Sequence, residues 1–468
     1  MERLEHFFRL KDHKTTVSTE IAAGFTTFIT MSYIILVNPE LIASGVAAAG
    51  GPSDAVFNGV LIATCLASFI GTILMALYAK LPLAQAPGMG INAFFAFSVI
   101  VGFGMTYQEA LAIVFISGVL FILITACGLR ELIIRCIPTS VQEALPVGIG
   151  MFIAFVGMQN AGLVVHNDST LIAFADFSAI SDPDQKVAVY GCLLALLGLF
   201  IMAALHALHV KAAILIGIIA VTIIGIPLGV TTLPESFSVN FSEPFSDFTT
   251  YSLGSFIEGF GSLFAGQNLL STIFTILILV LSFSLVDMFD TLGALISVSK
   301  KVDFKDADGN PVGMKKALMC DAIATTAGAA CGTSTVTTYM ESISGIGAGG
   351  RTGLTSLTTA VLLLLSILAL PFVQIIPSAA TAPALIFVGA MMLPSLKNIQ
   401  WDDFSQLVPA FLTIAAMPFA YSIATAIALG LISHIIIKLL CGKVREIHWL
   451  TAVLGILFLI RFFVLGAI

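Results

Sequence analysis

Long apolar stretches alternate with short polar ones along almost the whole chain. A helix needs ~20 mainly apolar residues to cross a bilayer, fewer where it is broken. Stretches of that kind fall near 20–37, 55–79, 84–101, 108–129, 141–161, 187–208 and 211–230. A polar stretch follows at 231–250, TTLPESFSVNFSEPFSDFTT, and then a segment at 251–266 that reads as an interfacial helix. The apolar pattern resumes near 269–293, 316–331, 334–346, 353–375, 379–395, 404–419 and 421–440. This gives fourteen segments, with a hydrophobic tail at 449–466 after them.

Two segments break the pattern at the same place in each half of the chain. The third reads LPLAQAPGMGINAFFAF (81–97) and is interrupted by Pro82, Pro87, Gly88 and Gly90. The tenth reads CGTSTVTTYMESISGIGAGG (331–350) and opens with a Thr/Ser run of strand character. Broken segments at matching positions point to a binding site near the bilayer midplane. Extended backbone there is tolerated only if it is buried or lines a cavity. Seven segments on each side of the 231–268 loop, an odd number per half, make the halves inverted repeats.

Composition narrows the class. Of the 468 residues 58% are hydrophobic and 10% charged, with mean hydropathy +1.05. A soluble domain is ~25% charged, so a soluble chain of this kind would expose large aggregating patches. High hydrophobicity with a net charge of −7 also excludes a disordered chain and a basic nucleic-acid binder. What remains is an all-α polytopic membrane protein, because lipid offers backbone groups no partners. The seven cysteines are scattered and form no CxxC pair, which argues against a disulfide framework and a zinc site. The charged, amphipathic opening MERLEHFFRLKDHKTT is not a signal peptide, so the first span is expected to be its own insertion signal.

Basic residues test the span count, because cytoplasmic loops carry the Lys and Arg. With the N-terminus in the cytoplasm, fourteen crossings put 18 of the 20 basic residues inside, all but Lys186 and Arg461. The outer loops 162–186 and 231–250 are acidic or neutral. Arg461, in the middle of the tail, suits an interfacial helix as well as a fifteenth span.

Acidic residues carry the candidate chemistry. Most lie in loops or at span ends, and three are read as exceptions: Asp287, Asp290 and Glu341. In the eighth span, FSLVDMFDTLGALISV, Asp287 and Asp290 share one helical face at i, i+3. Burying an ionised carboxylate in a membrane costs several kcal/mol (~2.5 or more on insertion scales). Such a pair suits proton uptake and release; a structural pair bridging broken backbone is the plainer reading. Glu341 falls in the first turn of a half-helix expected to start near Thr338 or Tyr339, where the dipole favours an anion. Asn92 is the polar residue of the third segment; its amide could read a heterocycle edge or satisfy the backbone at Pro87–Gly90. Phe94 and Phe95 could stack on a planar ligand, although any single one of 36 Phe is more often packing.

Other motif matches lack their context. Gly345, Gly347 and Gly350 fit GxGxxG but follow no hydrophobic strand in a βαβ unit. Asp306-Ala-Asp308-Gly309-Asn310 has the look of a calcium loop, yet Ala317 stands where the bidentate Glu belongs, and a hairpin turn fits better. There is no HExxH, P-loop or GxSxG, so the chain is read as no enzyme.

At these residues the sequence resembles the nucleobase–cation symporter-2 family, within it the AzgA-like purine permeases for guanine/hypoxanthine or adenine. The carrying motifs are TTVSTEIAAGFTTFITMSYIILVNPE (15–40), APGMGINAFFAF (86–97), LVDMFDTLGALISVSKK (285–301) and GTSTVTTYMESISGIGAGGRTGLT (332–355). The resemblance implies two inverted seven-segment repeats, with segments 3 and 10 each a short strand followed by a half-helix, the strands pairing at the site. It divides the chain into a cytoplasmic N-terminus (1–19), core-domain parts at 20–130 and 269–375, gate-domain parts at 138–231 and 379–440, an outer loop with interfacial helix (232–268) and a C-terminal tail (441–468). The matching functional positions are Asn92, Asp287, Asp290 and Glu341. In the related uracil carriers, carboxylates matching Asp287 and Glu341 hold the base. A His one turn further along segment 8 in those carriers is Thr291 in this chain, which leaves Asp290 as the substitute proton carrier.

The expected function is a secondary active transporter of the cell membrane that imports a purine nucleobase with a proton by an elevator-type cycle. Asp287 and Glu341 would accept N–H groups of the base, Asn92 would support the site, and Phe94 or Phe95 would contact the ring face. Proton coupling would fall to Asp287, Asp290 or Glu341. No cofactor beyond the co-transported proton and no metal is expected. The expected partners are the nucleobase and the lipid bilayer, with a homodimer through the gate domain as the candidate assembly. Xanthine or uracil transport, a small-anion carrier of the same fold and a non-transporting receptor are the alternatives.

Overall fold

In hydrocarbon a helix satisfies its own backbone, so each apolar stretch folds as one unless Pro, Gly or a Thr run interrupts it. The computed structural model describes residues 2–127, 137–183, 185–233, 241–265, 269–302, 313–373 and 375–460. Arg130, Arg135, Cys136, residues 234–240 of the outer stretch, Lys305, the Asp306–Asn310 turn and Arg461 lie outside the described residues.

Among the described residues, eight helices are long and apolar enough to cross a membrane: Val17–Ala48, Ser53–Ala79, Tyr107–Ala126, Thr139–Asn160, Lys186–Ala207, Gly353–Val373, Ser378–Asn398 and Ile423–Leu440. Shorter apolar helices include Met89–Gly102, Ala213–Gly225, Phe404–Phe419 and Trp449–Ile460. In chain order the first part comprises α1 (Glu2–Phe8), α2 (Val17–Met31), α3 (Ile34–Ala48), α4 (Ser53–Leu74), β1 (Gln85–Pro87), α5 (Met89–Ala93) and α6 (Tyr107–Ala126). Next come α7 (Thr139–Asn160), the strands β2 (Val164–Asn167) and β3 (Leu171–Phe174), α8 (Lys186–Ala207) and α9 (Ala213–Gly225). The connection after α9 carries α10 (Ser242–Asp247) and α11 (Phe256–Phe264). It leads to α12 (Leu269–Val302), α13 (Met314–Cys331), β4 (Val336–Thr338), α14 (Ser342–Gly347) and α15 (Gly353–Leu365). The chain ends with α16 (Ser378–Met392), α17 (Phe404–Phe419), α18 (Ile423–Leu440) and α19 (Trp449–Ile460).

The helices pack most densely within two groups. One group holds α2, α3, α4, α6, α13 and α15; the other holds α7, α8, α9, α16, α17 and α18. Contacts between the groups are sparser, chiefly α3 on α16 and α2 on α9, and α5 and α12, beside the first group, reach α7 and α18. Local signals set the ends. Thr106 and Glu109 form a reciprocal capping box at the start of α6, and Lys80, in a left-handed conformation (φ 59°), ends the π-helical extension of α4 and turns the chain toward β1.

The structure adds detail to the sequence reading in four places. The first span does not stop at 37, because Asn38 is buried and donates to Thr64 Oγ1 (2.7 Å) and Thr333 Oγ1 (2.9 Å), which lets the helical run continue to Ala48. β1 pairs antiparallel with β4, as the resemblance implies for segments 3 and 10, and a second antiparallel pair, β2 with β3, lies between α7 and α8. The helix after the 231–250 stretch packs on α6. Its Phe256 ring stacks on Phe115 of α6 at 4.3 Å, and Asp247 upstream accepts from Asn58 Nδ2 at 2.8 Å. Finally, α19 of the tail packs along α18, and Lys438, buried in α18, donates to Glu446 at 2.6 Å just before it.

Gly332 closes α13 at φ 99° with the backbone of Ser252 against it, and Tyr107 donates its hydroxyl to the Gly332 carbonyl. A Cβ at this position would sit 2.6 Å from the Ser252 carbonyl oxygen. Gly332→Ala therefore combines left-handed strain with overlap, which costs ~1–3 kcal/mol. A thermal melt of the purified protein should show a transition lowered by several degrees, whereas Gly347→Ala, whose Cβ would meet open space, should melt as wild type.

Candidate functional site

The site is built around a two-stranded crossing. β1 and β4 run antiparallel with Gln85 opposite Thr338, Ala86 opposite Thr337 and Pro87 opposite Val336, all six buried. Three-residue strands leave backbone groups on both outer edges, and unmet groups in a membrane interior cost several kcal/mol. Side-chain hydroxyls meet them. Thr72 of α4 accepts from Gln85 N at 2.9 Å and donates to Gln85 O at 3.0 Å. Thr325 of α13 donates to Val336 O at 3.1 Å. The crossing is also tied lengthwise, by Gly88 N to Thr335 O (3.1 Å) and Tyr339 N to Ala84 O (2.9 Å).

Each strand leads into a short helix, α5 after β1 and α14 after β4. The long helix α12 contacts β4, α5 and α14. It carries Asp287, Asp290 and Thr291 on one face. Asp287 is wholly buried, whereas Asp290 keeps partial exposure, with its Oδ2 3.8 Å from where a Cβ on Gly90 would lie. A side chain at position 90 would overlap Ile149 of α7, whose Cγ2 lies 2.6 Å from that Cβ, and would crowd Asp290. Glu341 occupies the residue before α14, one position ahead of the first turn expected for it, and is also partly exposed. Its Oε1 accepts the Tyr33 hydroxyl at 2.6 Å, a charge-assisted geometry when the carboxylate is ionised.

A further buried carboxylate is tied to the strands. Asp321 of α13 is fully buried and accepts from Thr291 Oγ1 (2.8 Å) and Gln85 Nε2 (3.3 Å). Thr291 spends its only hydrogen on Asp321, so at 2.8 Å it accepts from Thr337 Oγ1. Gln85 also donates to Thr338 Oγ1 at 3.3 Å. Asp321 thus ties β1 and β4 to α12 one turn from Asp287.

The remaining expected residues divide. Asn92 is buried with both ends of its amide engaged: Nδ2 reaches Pro87 O at 3.4 Å, and Oδ1 accepts from Ser334. Its bonds are those of a brace for the broken backbone. Phe94 meets Phe283, one turn before Asp287, edge-to-face at 4.7 Å, which puts it on the carboxylate side. Phe95, ~100° round the helix from Phe94, meets Tyr107 at 6.1 Å instead. Sequence reading missed Tyr33, Gln85, Asp321 and Tyr339, whose hydroxyl donates to Pro87 O at 2.6 Å. It also missed Glu20, buried at the start of α2. For Asp321 a signal existed, a carboxylate inside the ninth span rather than at its end. Among the described residues no group of three or more His, Cys, Asp or Glu is placed to hold a metal ion.

A multi-pass helical membrane protein with two broken segments crossing at a carboxylate cluster has the architecture of a transporter. The transmembrane domain of a cyanobacterial bicarbonate transporter, BicA, superposes with a TM-score of 0.59 at 16% identity, over 88% of this chain and 96% of that one. The murine anion transporter Slc26a9 superposes with a TM-score of 0.58 at 11% identity, over 91% and 68%. At such identity the likeness is one of fold. Sequence defines the family. The Permease family profile matches residues 18–429, and the chain belongs to the nucleobase–cation symporter-2 family. It is 42% identical to the putative permease MJ0326 of Methanocaldococcus jannaschii over 99% of this chain and 98% of the relative. It is 40% identical to the guanine/hypoxanthine permease PbuO of Bacillus subtilis over 98% and 100%, and 39% to the adenine permease AdeQ of Escherichia coli over 98% and 96%. These relatives are permeases, transporters and not enzymes.

Thr291→Val keeps the shape of the side chain but removes the donor to Asp321 and the acceptor for Thr337. Leaving such buried groups unmet costs ~1–3 kcal/mol. The purified variant should unfold at lower temperature than wild type, and an unchanged melt would show that Thr291 does not brace the crossing.

Proposed function

We propose that this permease imports purine nucleobases, hypoxanthine and guanine before adenine, together with a proton, by an elevator-type alternating-access cycle in the cell membrane. The observation that carries the reading is the gathering of Asp287, Asp290 and Glu341 about the β1–β4 crossing, in a chain with purine permeases among its relatives. Purines present ring and exocyclic N–H donors, and ionised carboxylates only accept. No Lys or Arg occurs in 84–101, 269–293 or 334–346, which disfavours a small-anion substrate despite the fold shared with anion carriers.

Glu341 and Asp290, the two partly exposed carboxylates, are the groups a base reaches first. Asp287 completes the acceptor set from within, and Phe94 contacts the ring face. Asn92 supports the site by bracing the turn after β1, and Phe95 holds α5 against α6. Protonation of Asp290 or its partners neutralises the cluster, which lowers the cost of moving it through a low-dielectric region. The helices carrying the crossing, 20–130 and 269–375, act as the core domain; 138–231 and 379–440 act as the gate. The fourteen segments form two inverted repeats, consistent with Thr72 of α4 serving β1 as Thr325 of α13 serves β4. The two domains meet through a largely apolar seam, Phe97 against Phe152 and Tyr421, with single bonds from Ser378 Oγ to Glu40 (2.7 Å) and Ile423 N to Ser98 Oγ (3.3 Å). Such a seam can slide. The N-terminus lies in the cytoplasm, and a homodimer through the gate is the assembly we assign.

Uptake tests the reading. Labelled hypoxanthine should accumulate in cells expressing the chain, compete with unlabelled guanine and less with adenine, and ignore uracil and bicarbonate. A protonophore should collapse accumulation, and uptake indifferent to the pH gradient would remove proton coupling. Asp287→Asn and Glu341→Gln each lose a charge-assisted acceptor, so uptake should fall by at least about tenfold. Bound base without accumulation would favour a receptor.

A further inference from the structure

Tyr33 belongs to none of the expected sites, yet it makes the direct side-chain bond to Glu341. It lies in the two-residue break between α2 and α3, 1% exposed, and reaches 308 residues along the chain to Glu341 Oε1. Its position is set by how α2 is held against the tenth segment. At the far end of α2, Glu20 is fully buried and accepts from Arg351 N (2.9 Å), Thr352 N (3.2 Å), Thr355 N (3.2 Å) and Thr355 Oγ1 (2.6 Å), capping α15. Midway, Thr359 Oγ1 donates to Gly24 O at 3.0 Å, and Gly345 of α14 packs so closely that a Cβ would lie 2.6 Å from Ala23 O. The Arg351 guanidinium closes α14 from below by donating to Ile346 O (2.6 Å) and Gly350 O (2.7 Å). α2 and α14 are therefore one rigid unit, with Tyr33 and Glu341 at the same end of it.

We propose that Tyr33 is a positioning residue of the substrate site, whose hydroxyl fixes the Glu341 carboxylate so that its remaining acceptor capacity faces an incoming purine N–H. A Glu side chain has three rotatable bonds, and one oxygen held from a rigid helix leaves the other with a defined direction. The bond is made before substrate arrives, so it acts on binding and leaves the later transport steps as they are. This inference rests on the assignment of Glu341 to substrate binding.

The test compares Tyr33→Phe, which removes only the hydroxyl, with Ser32→Ala at the same break, whose lost bond runs to Ile29 O within its own helix. For Tyr33→Phe the KM for hypoxanthine should rise about tenfold, equivalent to about 1.4 kcal/mol, with Vmax within about twofold of wild type, the signature of lost uniform binding. Ser32→Ala should leave both unchanged. Binding of labelled hypoxanthine to purified, monodisperse protein reads the same affinity for any variant that accumulates poorly. An unchanged KM in Tyr33→Phe while Glu341→Gln is inactive would overturn the positioning role and leave the site assignment standing. A KM rise of equal size in Ser32→Ala would overturn it too, as an effect of the break itself. Wild-type uptake by Glu341→Gln would instead remove the site assignment on which the inference rests.

Discussion

The whole structure depends on one requirement: extended backbone buried among membrane helices must find every hydrogen bond inside the protein. Helices meet that requirement alone, and three-residue strands cannot. β1 and β4 meet it by pairing with each other along one edge and by taking hydroxyls from α4 and α13 on the other. The helices around the crossing are thereby fixed in distance, because Thr72, Thr325 and Asp321 reach the strands only from adjacent packing positions.

The same requirement distributes charge. Asp321 is buried, accepts from Thr291 and Gln85, and stiffens the crossing. Asp290 and Glu341 keep part of their surface open, whereas Asp287 is wholly buried. The carboxylates near the crossing thus differ in burial, which is the separation the proposed coupling calls for between groups that hold the frame and groups that meet solutes.

Much of this was legible in the sequence because membrane helices announce themselves by length and apolarity. The broken segments showed through Pro87, Gly88 and Gly90 in one case and the Thr run at 335–338 in the other. Asp287, Asp290 and Glu341 stood out because charge is rare in spans. What stayed hidden depends on topology. Tyr33 looks like an ordinary span aromatic until the fold brings it to Glu341, and Gln85 meets Asp321 across 236 residues. Asn92 read equally as ligand or brace, and only its bonds to Pro87 and Ser334 distinguish the two. The β2–β3 hairpin left no signal either, since its strands are short and largely exposed and carry little alternation.

Equilibrium binding to the purified protein tests the central claim most directly, that the carboxylates at the strand crossing receive a purine. Titration calorimetry with hypoxanthine should give saturable binding to wild type, weaker by at least about tenfold in Asp290→Asn or Glu341→Gln, and no heat with bicarbonate. Hypoxanthine binding unchanged in both variants, or saturable bicarbonate binding in its place, would contradict the account.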